Sequence, residues 1–127
     1  MPSQGAESFA MKLESVRRIL DAEVVLGDDR LDTEVFMACG ADLMSDVLAF
    51  IKQGALLITG LTNPQVVRTA EMVDVKAICF VRGKRPGDDT IGLAESKGIP
   101  LLLTQLPMFE ACGRLYKNGL PGCSEVK

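Results

Sequence analysis

The sequence predicts a single three-layer α/β/α domain with about five strands in a mostly parallel sheet. Three observations lead there. The apolar runs at residues 55–59 (ALLIT), 77–81 (AICFV) and 100–104 (PLLLT) are short, and each is followed by a helix-like stretch. The prolines that follow them, Pro64, Pro86 and Pro107, lie 22 and 21 residues apart, a strand–helix period. The chain has 127 residues and no interdomain linker, so it suits one compact domain.

The elements follow in order. Residues 1–8 read as a loose tail, 9–120 as the folded domain and 121–127 as a second tail. A first helix is expected over 9–20, with Met11, Val16, Ile19 and Leu20 on one side. Residues 22–27 form a short strand closed by the turn Gly27-Asp28-Asp29, and 33–39 a second strand ended by Gly40. The next helix sets Leu43, Met44, Val47, Leu48 and Ile51 on one face, with Asp42 or Ser45 as its cap. After the strand at 55–59, Asn63 followed by Pro64 opens a helix with an N-cap and a first-turn proline. The strand at 77–81 leads through the basic loop Arg82-Gly83-Lys84-Arg85-Pro86 to a helix capped by Asp88 or Asp89. Pro107 opens the last helix, in which Phe109, Cys112, Leu115 and Tyr116 are expected to point inward.

Composition narrows the chemistry. The net charge is −3 and there is no tryptophan, which argues against nucleic-acid binding, since phosphate recognition uses basic clusters and aromatic platforms. No apolar run nears the roughly 18 residues of a membrane span, and the first ten residues lack a signal-peptide pattern. A cytoplasmic protein with no membrane partner is the expectation. There is no histidine, which removes the commonest general base and the Ser-His-Asp and Cys-His arrangements. None of the four cysteines forms a C-x-x-C pair, so no metal or cofactor is expected. Cys79 and Cys112 read as small buried hydrophobes and Cys123 as part of the tail. Cys39, at a strand end, has no basic neighbour in the sequence to activate it.

Parallel sheets bind ligands beyond the carboxyl ends of their strands. Three groups should meet there: Gly40, Asp42, Ser45 and Asp46; Thr59, Gly60, Thr62 and Asn63; and Arg82, Gly83, Lys84 and Arg85. Backbone N–H groups at helix starts, together with Arg82 or Lys84, suit a small anionic or nucleotide-like ligand. Each residue also has an ordinary role as a cap or turn former. Neither G-x-x-x-x-G-K-[ST] nor G-x-G-x-x-G occurs. No complete catalytic set is visible, so no catalytic residue is assigned.

Residues 13–120 resemble the DRTGG domain family, through LESVRRILDAEVVLG, LDTEVFMACGADLMSDVLAFIKQGALLITGLTNPQVV, AICFVRGKRPGDDTIGLAESKGIPLL and FEACGRLYKNGL. The naming motif is altered: Asp32 and Gly40 remain, while its arginine and second glycine do not. The resemblance implies a regulatory, non-catalytic role. Similar domains stand beside CBS domains in family pyrophosphatases and in long phosphate acetyltransferases, and look like the N-terminal domain of HPr kinase/phosphorylase. With no P-loop or CBS repeat, this chain reads as a stand-alone version. A homodimer that binds a small ligand or a partner protein is the leading expectation. The alternatives are an accessory subunit of a metabolic enzyme complex, or a small transferase or hydrolase using Asp42, Ser45, Thr59 and Arg82.

Overall fold

In the computed structural model, which describes residues 9–125, a two-residue strand β1 (Met11–Lys12) runs directly into helix α1 (Leu13–Leu20). Strand β2 (Glu23–Leu26), a 3₁₀ turn (Asp28–Arg30), β3 (Glu34–Val35) and β4 (Met37–Gly40) follow. Regular alternation then sets in: α2 (Met44–Phe50), β5 (Ala55–Thr59), α3 (Pro64–Met72), β6 (Ala77–Phe80), α4 (Asp88–Lys97), β7 (Leu101–Leu103) and α5 (Met108–Lys117). A second 3₁₀ turn, Cys123–Glu125, closes the described chain.

The main sheet has the order β2-β7-β6-β5-β4. The last four strands in sequence are parallel, and β2 is an antiparallel edge paired to β7. Strands 5, 6 and 7 read as unbroken apolar runs because parallel strands are covered on both faces. Every residue of β5, β6 and β7 is buried. Leu57, Ile78, Phe80, Leu101 and Leu103 face one layer, packing with Val47, Val66, Val67, Ala70 and Ala94 of α2, α3 and α4. Leu56, Ile58, Ala77, Cys79 and Leu102 face the other, against Leu13, Val16 and Leu20 of α1 and Ala111 and Leu115 of α5. Each fully buried leucine or isoleucine contributes about 1.5–3 kcal/mol. The expected three-layer α/β/α architecture is present.

Several local expectations change. The first helix begins at Leu13 rather than residue 9, because Met11 and Lys12 pair with Val35 and Glu34 in a separate ribbon. The strand expected over 33–39 is split in two. Its first half pairs with β1 and its second with β5, and the chain bends at Phe36, whose N–H donates to Gly54 O. In α2 only Val47 and, just past its end, Ile51 are buried; Leu43 (61% exposed) and Leu48 turn outward. In α5 the inward stripe is Ala111 and Leu115, whereas Phe109 (87%) and Tyr116 (61%) are exposed. Leu48 and Tyr116 each directly follow a buried residue and so lie about 100° round the helix from it, and Leu43 precedes the first turn of α2.

The residues expected as a tail from 121 are packed as far as Glu125. Ala38 of β4 forms a parallel bridge with Gly122, and its N–H donates to Pro121 O at 2.9 Å. The edge strand offers unpaired backbone groups, and the chain end uses them. The expected tail at 1–8, and residues 126–127, lie outside the described residues.

Candidate functional site at the carboxyl edge of the sheet

The carboxyl ends of β4, β5 and β6 lie side by side, with Gly40 in register with Ile58 and Thr59 with Phe80. Gly40, Asp42, Thr59, Gly60 and Thr62 come together there. Asp42 does not cap α2, whose first turn starts beyond Leu43 with no side-chain cap. Its Oδ1 instead accepts from the Gly60 N–H at 2.7 Å and from the Thr59 hydroxyl at 3.1 Å. The Thr59 Oγ1 in turn accepts from the Leu61 N–H at 3.2 Å. On the far side of the turn, Thr62 O accepts from the buried Thr90 hydroxyl of α4 at 2.7 Å. The turn after β5 is therefore held from both sides, and the Asp42 carboxylate occupies the position beside Gly60 that an anion would seek.

Ser45 and Asn63 remain exposed at the starts of α2 and α3, and the Asn63 side chain makes no cap bond. Arg82 and Gly83 are drawn the other way, toward β7. Both adopt left-handed backbone (φ 59° and 66°), which lets the chain turn back on itself. The Arg82 N–H donates to Leu106 O and the Gly83 N–H to Thr104 O, each at 2.9 Å. At Gly83 a side chain would meet the Gln105 amide as well as the backbone strain. Arg85 reaches across to an ion pair with Glu23 on β2. The loops after β6 and β7 leave for opposite faces of the sheet, where such folds usually open a ligand crevice. Here backbone bonds close the floor of that crevice, and the exposed Arg82 side chain stands at its rim.

Sequence reasoning missed an apolar groove of about 330 Å³ on the α5 side, lined by Ala38, Gly40, Phe109, Cys112, Tyr116 and Pro121. Among the described residues, five of the six exposed large hydrophobics (Leu43, Leu48, Phe50, Phe109 and Tyr116) sit in or beside α2 and α5. Those two helices cover opposite faces of the sheet next to the edge strand β4. The only hint in the sequence was their apolar character, which pointed equally well to a core.

Burial pushes the Cys79 thiol up to about 12 and also raises Cys112, so both are protonated at neutral pH. Among the described residues no three His, Cys, Asp or Glu converge as a metal site, and no helix is long and apolar enough to cross a membrane.

The family model of the DRTGG domain matches residues 15–117. Among solved structures, the chain is similar to the CBS and DRTGG domains of the regulatory region of Clostridium perfringens pyrophosphatase, a complex with the activator diadenosine tetraphosphate. The two share 20% identity with a TM-score of 0.70, over 98% of this chain and 52% of that one. The chain thus spans little more than half the length of that regulatory region. No protein of curated function matches.

Proposed function

The chain belongs to the DRTGG domain family, and from that premise we propose that it is a non-catalytic regulatory module of the cytoplasm that acts by binding. It pairs with a second copy of itself through the exposed apolar side chains of the helices that flank β4. It takes a small nucleotide or other anionic ligand at the carboxyl ends of its parallel strands.

The observation that carries this reading is the clustering of exposed apolar side chains on α2 and α5, on either side of an edge strand. A small domain rarely leaves so many large apolar side chains beside one strand in water unless something covers them. A two-fold pairing would bury the patch on both copies at once. Size-exclusion chromatography with light scattering should give a dimer at micromolar concentration, and Phe50→Glu with Phe109→Glu should give a monomer. A monomeric wild-type chain would rule out self-pairing. If that monomer captured a partner enzyme through the same face, the accessory-subunit reading would take its place.

The ligand half rests on the group of Gly40, Asp42, Thr59, Gly60 and Thr62, with Ser45 and Asn63 at the neighbouring helix starts and Arg82 and Gly83 on the adjoining loop. The exposed start of α3 supplies partial positive charge, and Arg82 a full one. Asp42 already holds the Gly60 N–H, so a ligand anion sits beside it, between Asn63 and Arg82. The pyrophosphatase region is activated by a dinucleotide, so diadenosine tetraphosphate and ATP lead a thermal-shift screen that also includes acyl and sugar phosphates. A bound ligand raises the melting temperature by mass action. The shift should shrink in Arg82→Ala. No shift across the panel would remove the ligand half and leave the pairing half standing.

A further inference from the structure

Cys39 and Cys123 meet where the closing turn of the chain docks on the sheet edge. Ala38 and Gly122 form a parallel bridge. The next residues along, Cys39 and Cys123, lie just past that bridge, Cys39 in β4 and Cys123 at the start of the closing 3₁₀ turn. Both pack against the same apolar cluster beneath α2 and α3. The two thiols are close enough for each to shift the other's titration. Disulfides span roughly 4.4–6.8 Å between Cα atoms, the range that residues adjoining a strand bridge meet. All four cysteines are free thiols.

We propose that Cys39 and Cys123 form a reversible oxidation site for small hydroperoxides, closing to an intramolecular disulfide that locks the C-terminal turn onto β4. The two thiols are unequal. The Cys39 S–H, the Lys52 N–H and the Lys52 charge stabilise a Cys123 thiolate, so its pKa falls from 9.0 to about 6. The same pairing, with burial, raises Cys39. Cys123 is the nucleophile and Cys39 the resolving thiol.

Cys123 sulfur attacks one peroxide oxygen and the O–O bond breaks. The other oxygen leaves as hydroxide or alkoxide and takes up the proton that Cys123 has lost. Cys123 is left as a sulfenic acid. Cys39 sulfur then displaces hydroxide from it, forming the S–S bond, and the Cys39 proton makes that hydroxide water. The thiols give up two electrons and two protons in all, and the peroxide becomes water, or an alcohol, plus water. Cys123 is only 7% exposed, covered by its own short turn, so a molecule the size of hydrogen peroxide is favoured over a bulky disulfide. That turn is fastened by Glu125, which accepts from the Tyr116 hydroxyl at 2.7 Å and the Gly122 N–H at 3.1 Å. Residues 121 and 122 wall the apolar groove, so the link would set its shape.

The test is thiol counting and non-reducing peptide mapping of the full reduced chain, titrated with hydrogen peroxide. Loss of two of the four thiols, a linked pair of peptides holding Cys39 and Cys123, and recovery with dithiothreitol are expected. Cys39→Ser should instead leave a sulfenic acid at Cys123 that dimedone traps, and Lys52→Gln should slow closure several-fold. Four surviving thiols, a different pairing, or over-oxidised Cys123 without the link would overturn the proposal. The wild-type map decides the matter even if the variants fail to fold.

Discussion

Asp42 ties the turn after β4 to the turn after β5 with a single carboxylate oxygen. A hydrogen bond to a charged group contributes about 1.5–3 kcal/mol, less where water competes, so Asp42→Ala should cost about 1–2 kcal/mol. Asp42→Asn keeps an acceptor oxygen and should cost less than half as much. Urea unfolding of the two variants checks this, and equal midpoints would show that the acceptor is not what matters. At Cys123 the sign is set by a lowered pKa. Its thiolate stabilises the fold fully above the ordinary value of 9.0, and that contribution is lost as pH falls through about 6. Cys39 is raised, so its contribution is present below 9.0 and lost as pH climbs beyond it. Lys52 and Cys39 face Cys123, and Cys112 and Asp46 lie near Cys39. Between pH 6 and pH 8 the reduced wild type should therefore gain more stability than Cys123→Ser; parallel urea-midpoint profiles would refute this. The sequence placed Asp42, Thr59 and Gly60 in one neighbourhood, but it offered Asp42 a local partner in the first turn of α2. Gly60 lies 18 residues away, so nothing in the local pattern could rank it above that nearer cap.

At the scale of elements, α5 separates packing from surface within two turns. Leu115 is fully buried against the sheet and α1, while Phe109 faces water. Leu115→Ala should cost about 2–5 kcal/mol through lost burial and the cavity left behind. Phe109→Ser should change monomer stability by less than about 0.5 kcal/mol while weakening self-pairing. Thermal melts at low concentration, set beside light scattering, distinguish the two effects; a large loss at Phe109 would mean it packs within one chain. Strands β5 to β7 were readable because burial on both faces leaves only apolar side chains. The broken strand before Gly40 was not, because the alternation of residues 33–39 fits one strand as well as two that serve different partners. Thr59 and Thr104 show a device repeated at two strand ends. Each hydroxyl accepts from the N–H two residues on and donates to a distant group, Asp42 in one case and Leu20 O in the other.

For the molecule as a whole, successive crossovers step from β4 to β7 in one direction and place α2, α3 and α4 on one face. The last helix crosses to the other face and returns the chain to β4, and the closing turn reaches Cys39. A link there would close a loop across most of the domain, and the chain-entropy model gives on the order of 4 kcal/mol for a loop of that length. The peroxide-treated protein should therefore unfold at markedly higher urea than the reduced form, and equal midpoints would show that the link strains the fold as much as it restrains the unfolded chain. The strand–helix alternation and the buried parallel core were determined by the sequence alone, because they rest on periodicity and order along the chain, and membership of the DRTGG domain family rests on the match over residues 15–117. Only the tertiary structure decided which apolar residues stay outside, which N–H groups Asp42 and the loop carbonyls occupy, and which cysteines face each other. Those are contacts between segments far apart in the chain, and a pattern that repeats every two or four residues carries no record of them.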